Sequence, residues 1–148
     1  MPVQLPISFL FCLLSLSSCN SSKNSNQNNS SPNNNLHDMW AVRELYGTPI
    51  KILETKTPKQ ITLEIFVNEL KILGNDGCNN FFGTIDELNA EKISFRDIGS
   101  TKKLCPNRAT PNSFNKAMKE ITVYELKNTN LYFRNSAGVV IMQLFKVD

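Results

Sequence analysis

The sequence predicts a mainly β domain of the α+β class, an antiparallel sheet curled into a barrel or sandwich with one α-helix. Three observations predict it. Apolar and polar residues alternate over short runs, the period of a half-buried strand. Turn signals separate those runs at regular intervals. One stretch, 109–121, carries its apolar residues at helical spacing instead. At 148 residues the chain has room for one such domain.

The elements follow in order. "WAVREL" (40–45) opens the domain, with Trp40 as a core plug, and Tyr46-Gly47-Thr48-Pro49 is a turn. "IKIL" (50–53) is a second short strand. "ITLEIF" (61–66) alternates cleanly: Ile61, Leu63 and Ile65 face one way, Thr62 and Glu64 the other. Asn68 marks a turn into "ELKIL" (69–73). "FFGTIDEL" (81–88) and "ISFRDI" (93–98) are the next strands, joined by "NAEK". "ATPNSFNKAMKEI" (109–121) is the helix: Phe114, Ala117, Met118 and Ile121 share a face, Pro111 suits the first turn and Thr110 is the expected N-cap. "VYEL", "LYFR" and "VVIMQLFKV" close the chain, with turns "KNTN" and "NSAG" between them. The helix is expected to cover an open end or an edge of the sheet.

The N-terminus does not belong to this domain. The apolar run from Ile7 to Leu16 is too short to span a bilayer and has the length of a signal-peptide core. It runs into Leu16-Ser17-Ser18-Cys19, which resembles the lipobox of bacterial lipoproteins. The resemblance implies a signal peptide over 1–18, cleaved before Cys19, with acyl chains on the Cys19 thiol and amino group. Two or more acyl chains on one residue anchor a protein stably, where a single chain would not. Residues 20–38 are nearly all Asn and Ser. They have little to bury and read as a flexible tether spanning on the order of 25 Å. His37, the only histidine, falls at the end of that tether and is expected to be solvated. The domain proper is then 39–148.

Charge excludes one function class. The formal net charge is +3, with both signs scattered and no basic stripe or aromatic stacking face. Nucleic acid is not an expected partner. Two sets of neighbouring charges, Asp86 with Glu87 and Arg96 with Asp97, are read as solvated surface, because adjacent strand residues face opposite sides.

The densest motif is "GNDGCNNFFG" (74–83). Its Gly77-Cys78-Asn79-Asn80-Phe81-Phe82-Gly83 resembles the G-C-N-x-F-x-G signature of the META domain, the family of the heat-shock protein HslJ. Trp40 at the domain start, Gly47 after the first strand, Thr101 to Cys105 as a T-x-x-x-C segment and Phe114 in the helix follow in that family's order. The resemblance covers residues 39–147. It implies a twisted antiparallel sheet forming a half-open barrel with one helix. It also implies an exported or lipid-anchored protein of the cell envelope, connected with stress or antibiotic tolerance. It hands over no reaction and no cofactor.

The chemistry of Cys78 must be weighed separately. A nucleophilic thiol usually needs a histidine base, and 39–148 holds none. A Cys-x-x-Cys redox pair is absent, and a zinc site would need carboxylates where only Asp76 lies beside a cysteine. Two readings stay open: Cys78 and Cys105 are bonded to each other, or both are buried reduced thiols packing as small apolar groups. An oxidising envelope and an even number of thiols in the domain favour the disulfide. Asn79, Asn80 and the outward one of Phe81 and Phe82, taken as Phe82, are the candidate lip for a ligand or partner. The function expected is that of a non-enzymatic, monomeric envelope lipoprotein, held at the outer membrane by its anchor at Cys19, with an accessory or binding role toward another envelope protein. The alternative is a carrier or sensor holding a small hydrophobic ligand in the half-open barrel.

Overall fold

The computed structural model describes residues 1–2, 34–50 and 60–147. The apolar run, Cys19, the tether up to residue 33 and residues 51–53 of the expected second strand lie outside the described residues.

The strands are β1 (Asp38–Leu45), β2 (Thr48–Pro49), β3 (Thr62–Phe66), β4 (Lys71–Asn75), β5 (Asn80–Leu88), β6 (Ile93–Ser100), β7 (Val123–Lys127), β8 (Asn130–Arg134) and β9 (Val140–Lys146), with helix α1 (Ala109–Glu120) between β6 and β7. They form one antiparallel sheet in the order β6-β5-β4-β3-β1-β9-β8-β7, and β2 pairs with β1. The two edges of this curled sheet meet at one place. Lys92 bridges to Val123, Tyr124 N donates to Glu91 O at 2.9 Å, and Ile93 N donates to Thr122 O at 3.3 Å. The result is a half-barrel, as the alternating strands and the family resemblance both imply.

Local chemistry sets the elements. On β3, Leu63 and Ile65 are fully buried while Thr62 and Glu64 are half-buried, the two-residue period of a pleated strand. Tyr46 and Gly47 both adopt positive φ, 48° and 74°, and join Leu45 to its partner Thr48. That is the two-residue hairpin turn whose twist matches its strands, and glycine makes its second position cheap. Trp40, Phe81, Phe114, Phe133 and Met142 fill the interior. Trp40 Nε1 donates to Leu36 O at 3.1 Å, so the plug's polar handle is satisfied.

The domain begins earlier than its composition indicates. A 3₁₀ turn, Asn34–Leu36, precedes β1, and Leu36 is fully buried. His37 is not simply solvated: its Nδ1 accepts from Val67 N at 3.3 Å, and its ring meets Phe66 edge-on at 5.6 Å. Leu36 supplies the burial that the Asn/Ser run lacks, and it carries His37 onto the fold with it.

Helix α1 buries Pro111, Phe114, Ala117 and Met118, the face read from the sequence, with Ile121 buried just past its end. Its start differs from the expectation. The N-cap is Arg108 rather than Thr110, and Arg108 makes no side-chain cap. Asn107 Oδ1 instead accepts from Ala109 N at 2.9 Å. Pro111 tolerates this shift because the amide it lacks is one that a first turn leaves unpaired.

At its other end α1 is tied to the β1–β2 turn. Tyr46 OH donates to Glu120 Oε2 at 2.9 Å, and the Lys116 ammonium lies 5.0 Å from the Tyr46 ring centre. Burial, followed by the bond and charge of Glu120, pushes the Tyr46 phenol from 10.0 up to about 12. The folded state therefore keeps a proton that the unfolded chain has lost, so this contribution to stability is full below about pH 10 and disappears as pH rises toward 12. Ultraviolet titration of the phenolate should show a tyrosine midpoint near 12. Glu120→Gln should move that midpoint down toward the ordinary value, and an unmoved midpoint would leave the Glu120 contact without effect.

Candidate functional site

The turn between β4 and β5 brings the chemistry-bearing residues together. Gly74 on β4 lies where a Cβ would collide with the Thr62 carbonyl and come within 2.6 Å of Phe81 Cζ, so only glycine lets these strands and that ring approach. Beyond it the chain leaves the ladder, and side chains take over its hydrogen bonds. Asn75 Oδ1 accepts from Gly77 N at 2.9 Å, with Gly77 at φ 95°. Asn75 Nδ2 donates to Asn80 Oδ1 at 2.8 Å.

Asp76 is the hub. It is almost fully buried. Its Oδ1 accepts from Cys78 N at 2.9 Å and from Asn79 N at 2.6 Å, and its Oδ2 accepts from Asn115 Nδ2 of α1 at 3.2 Å. Its own amide donates to Asn79 O at 2.9 Å. The carboxylate thus closes the loop and links it to the helix. Sequence reasoning treated Asp76 only as a possible metal neighbour. The signal that marks its role is an acid followed two and three residues later by unpaired amides, the pattern of an Asx turn.

Asn79 holds the segment that follows β6. Its Oδ1 accepts from Lys103 N at 2.8 Å and from Thr101 Oγ1 at 3.1 Å. Thr101 N donates to Asn80 O at 3.0 Å. Cys78 and Cys105 are joined by a disulfide, with Cα atoms 6.2 Å apart. The segment 101–108 is therefore a strap fastened over the turn at three points. Of the two readings open for the cysteines, the bonded one holds, and the sulfurs are half-buried rather than deep in the core.

The disulfide closes a loop with a sequence separation of 27. Reducing it, or replacing Cys105→Ser, is expected to destabilise the domain by about 3 kcal/mol, through the greater freedom of the unfolded chain. Thermal unfolding with and without dithiothreitol checks this, with an expected fall in Tm of roughly 10 °C. Equal midpoints in the two conditions would show that the bond constrains little.

The residues of the expected lip fall in different surroundings. Asn79 is half-buried beneath the strap, and its carbonyl oxygen is committed there. Asn80 is exposed, with its Oδ1 bonded to Asn75. Phe81 and Phe82 take opposite faces: Phe81 packs 5.1 Å from Phe114 in the core, and Phe82 is 59% exposed. The Phe82 ring lies over Gly99 of β6, where a Cβ would stand 2.6 Å from its Cζ. Beside Phe82 on β4 is Leu73, 44% exposed.

The charged neighbours on β5 and β6 need correction. Arg96 and Asp97 do not face opposite sides. Arg96 Nη1 meets Asp97 Oδ2 at 2.9 Å, and Arg96 Nε meets Asp86 Oδ1 at 3.0 Å. Asp97 adopts φ 52°, and the β5–β6 register shifts between Phe82 and Thr84, so a bulge breaks the alternation. All three side chains are well exposed, and such pairs contribute at most about 1 kcal/mol.

A cleft of about 260 Å³ lies between the β1–β2 turn and the first turn of α1, lined by Leu45, Tyr46, Ile50, Thr110 and Ser113. Among the described residues no cluster of three or more His, Cys, Asp or Glu side chains is placed to hold a metal ion, and no helix is long and apolar enough to cross a membrane.

Comparison with known proteins bears on the fold and the family. The family model of the META domain matches residues 34–147, which includes the 3₁₀ turn that precedes β1. Two solved structures are similar, both determined by NMR. One, from Burkholderia xenovorans, is 17% identical with a TM-score of 0.56, covering 80% of this chain and 90% of that one. The other is 18% identical with a TM-score of 0.55, covering 75% of this chain and 89% of that one. At such identities the likeness is one of fold. No curated protein is significantly similar in sequence.

Proposed function

The chain belongs to the META domain family, and from that premise we propose that it is a non-enzymatic, lipid-anchored envelope protein with an accessory or binding role in stress tolerance. One observation carries the binding half of this reading. The polar groups of the motif spend their hydrogen bonds on the fold: Asp76 on the loop and α1, Asn79 on the strap, Cys78 in the disulfide. What the motif turns outward is a held surface, with Phe82, Leu73 and the strap exposed on it. A surface fixed by its own scaffold suits recognition of another macromolecule, since less ordering entropy is lost on binding. The anchoring half is supported by the lipobox-like Leu16-Ser17-Ser18-Cys19 and the polar tether after it. Together they would hold a monomeric domain near a membrane, in the outer membrane on this reading.

The test is peptide mapping of protein taken from its own envelope and alkylated before reduction, combined with crosslinking in the cell. The expected result is acyl mass on Cys19, one linked peptide holding Cys78 and Cys105, and repeated capture of one envelope protein. A Cys78 that alkylates readily would overturn the non-enzymatic assignment, and an unmodified Cys19 would overturn the anchor. The carrier reading has less support. The barrel interior is occupied by Trp40, Phe114 and Phe133, which leaves the cleft beside β2 as the space for a ligand. Co-purifying small-molecule mass in native mass spectrometry would favour it.

A further inference from the structure

Between Asp97 and Glu120 the chain carries no acidic residue, yet it holds Lys102, Lys103, Arg108, Lys116 and Lys119. The first three lie on the strap, 101–108, which has no regular secondary structure. Lys102, Lys103 and Arg108 are exposed, and between them Leu104 stands wholly in solvent at 103% relative exposure. Among the described residues none of these three cations is in an ion pair. Arg108 occupies the N-cap of α1, whose first turn holds no acidic residue. A cation is unfavourable at that positive end of the helix dipole, and neither the strap nor the first turn of α1 holds an acidic residue to offset it.

The strap is also held in place. Cys105 is bonded to Cys78, Lys103 N is bonded to Asn79 Oδ1, and Thr101 N is bonded to Asn80 O. These ties keep a leucine side chain pointing away from the core between cations. At the same end of the sheet, where the strap leaves β6, the outward face carries Phe82 and Leu73 as further exposed apolar groups.

We propose that the strap is a membrane-surface contact that takes anionic phospholipid headgroups. Lys102, Lys103 and Arg108 meet the phosphates in charge-assisted hydrogen bonds, and Leu104 enters the boundary between headgroups and acyl chains. Charge complementarity selects this occupant. An anionic leaflet attracts each nearby cation, and it offers an apolar layer directly beneath the charge. A soluble polyanion would satisfy the cations and leave Leu104 in water. An acidic protein would need a pocket shaped for Leu104 as well. The contact is separate from acylation of Cys19, which would bring the domain to the membrane without orienting it.

The experiment uses the full chain reconstituted in vesicles of phosphatidylcholine alone or of phosphatidylcholine mixed with phosphatidylglycerol. Acetic anhydride labels exposed lysines, and mass spectrometry reads each site. Labelling of Lys102 and Lys103 should slow about fivefold or more in the anionic vesicles, consistent with the attraction of single basic residues to such surfaces. High salt should reverse that protection. Lys92 and Lys127, whose ammonium groups are paired with Glu87 and Glu125, should label alike in both vesicles. Leu104→Asp, at a side chain that contributes no burial to the fold, should abolish the protection. Equal labelling of Lys102 and Lys103 in the two vesicle types overturns the proposal, whether both are free or both are protected. Intact mass at Cys19 in the same sample reports the anchor separately, so loss of the anchor and loss of the strap contact are told apart.

Discussion

Asp76→Ala is expected to destabilise the domain by about 4 kcal/mol, from loss of charge-assisted hydrogen bonds and exposure of unpaired buried donors. The substitution leaves Cys78 N, Asn79 N and Asn115 Nδ2 without their acceptor in a place where the side chain had almost no contact with water. Urea denaturation should show a lower midpoint with an unchanged slope. Asp76→Asn is the informative companion. Its carbonyl oxygen still accepts from the two loop amides, but its amide group faces the donor of Asn115. It should lose about half as much, since hydrogen bonds to a neutral acceptor are weaker. A loss below about 1 kcal/mol in Asp76→Ala would mean that water replaces the carboxylate at little cost, and that the loop does not depend on it.

Phe114→Ala is the other large effect, with an expected loss of about 3–5 kcal/mol. Phe114 is fully buried and packs against Phe81, one residue from the exposed Phe82. Removing it hollows the contact between α1 and the half-barrel. It also loosens Asn115, the next residue, from Asp76. The two substitutions should therefore be non-additive, because either one weakens the same link between helix and loop. A double-mutant cycle in urea measures this. Strict additivity would show that the loop and the helix are held independently.

Much of the fold was legible, and for local reasons. Ile61, Leu63 and Ile65 alternate with polar neighbours, so their face follows from the pleat alone. Phe114, Ala117 and Met118 recur at helical spacing, so the buried side of α1 follows as well. The errors lie where long-range packing outweighs local pattern. Composition placed Leu36 and His37 in the tether, because the Asn/Ser run continues to Asn35. The acceptor role of His37 depends on Phe66 and Val67 at the end of β3, which arrive much later in the chain. Thr110 looks like a cap next to Pro111, but the strap fixes where the helix can start, and Asn107 serves there. The positive-φ residue of the β6 bulge is Asp97 rather than the nearby Gly99, so the residue type does not announce it.

The candidate site divides in the same way. The glycines, the cysteines and the asparagines of 74–83 mark an irregular turn plainly. Only the tertiary structure shows that Asp76 organises it, since one of its partners, Asn115, comes from a helix distant in sequence. Of the strap, the T-x-x-x-C segment from Thr101 to Cys105 was visible through the family resemblance. Its fastening at Asn79 was not, because a side chain that bonds two residues across space leaves no periodic trace.

The sheet order has a consequence for biogenesis. β1 and β9, the earliest and latest strands of the domain, are neighbours in the middle of the sheet, and Val147 N closes onto Met39 O at 3.0 Å. The seam between β1 and β9 cannot form until β9 has left the ribosome, and pairing across such a sequence distance is slow. The nascent domain thus lacks its central seam throughout its synthesis, and that seam zips only when the last strand is free.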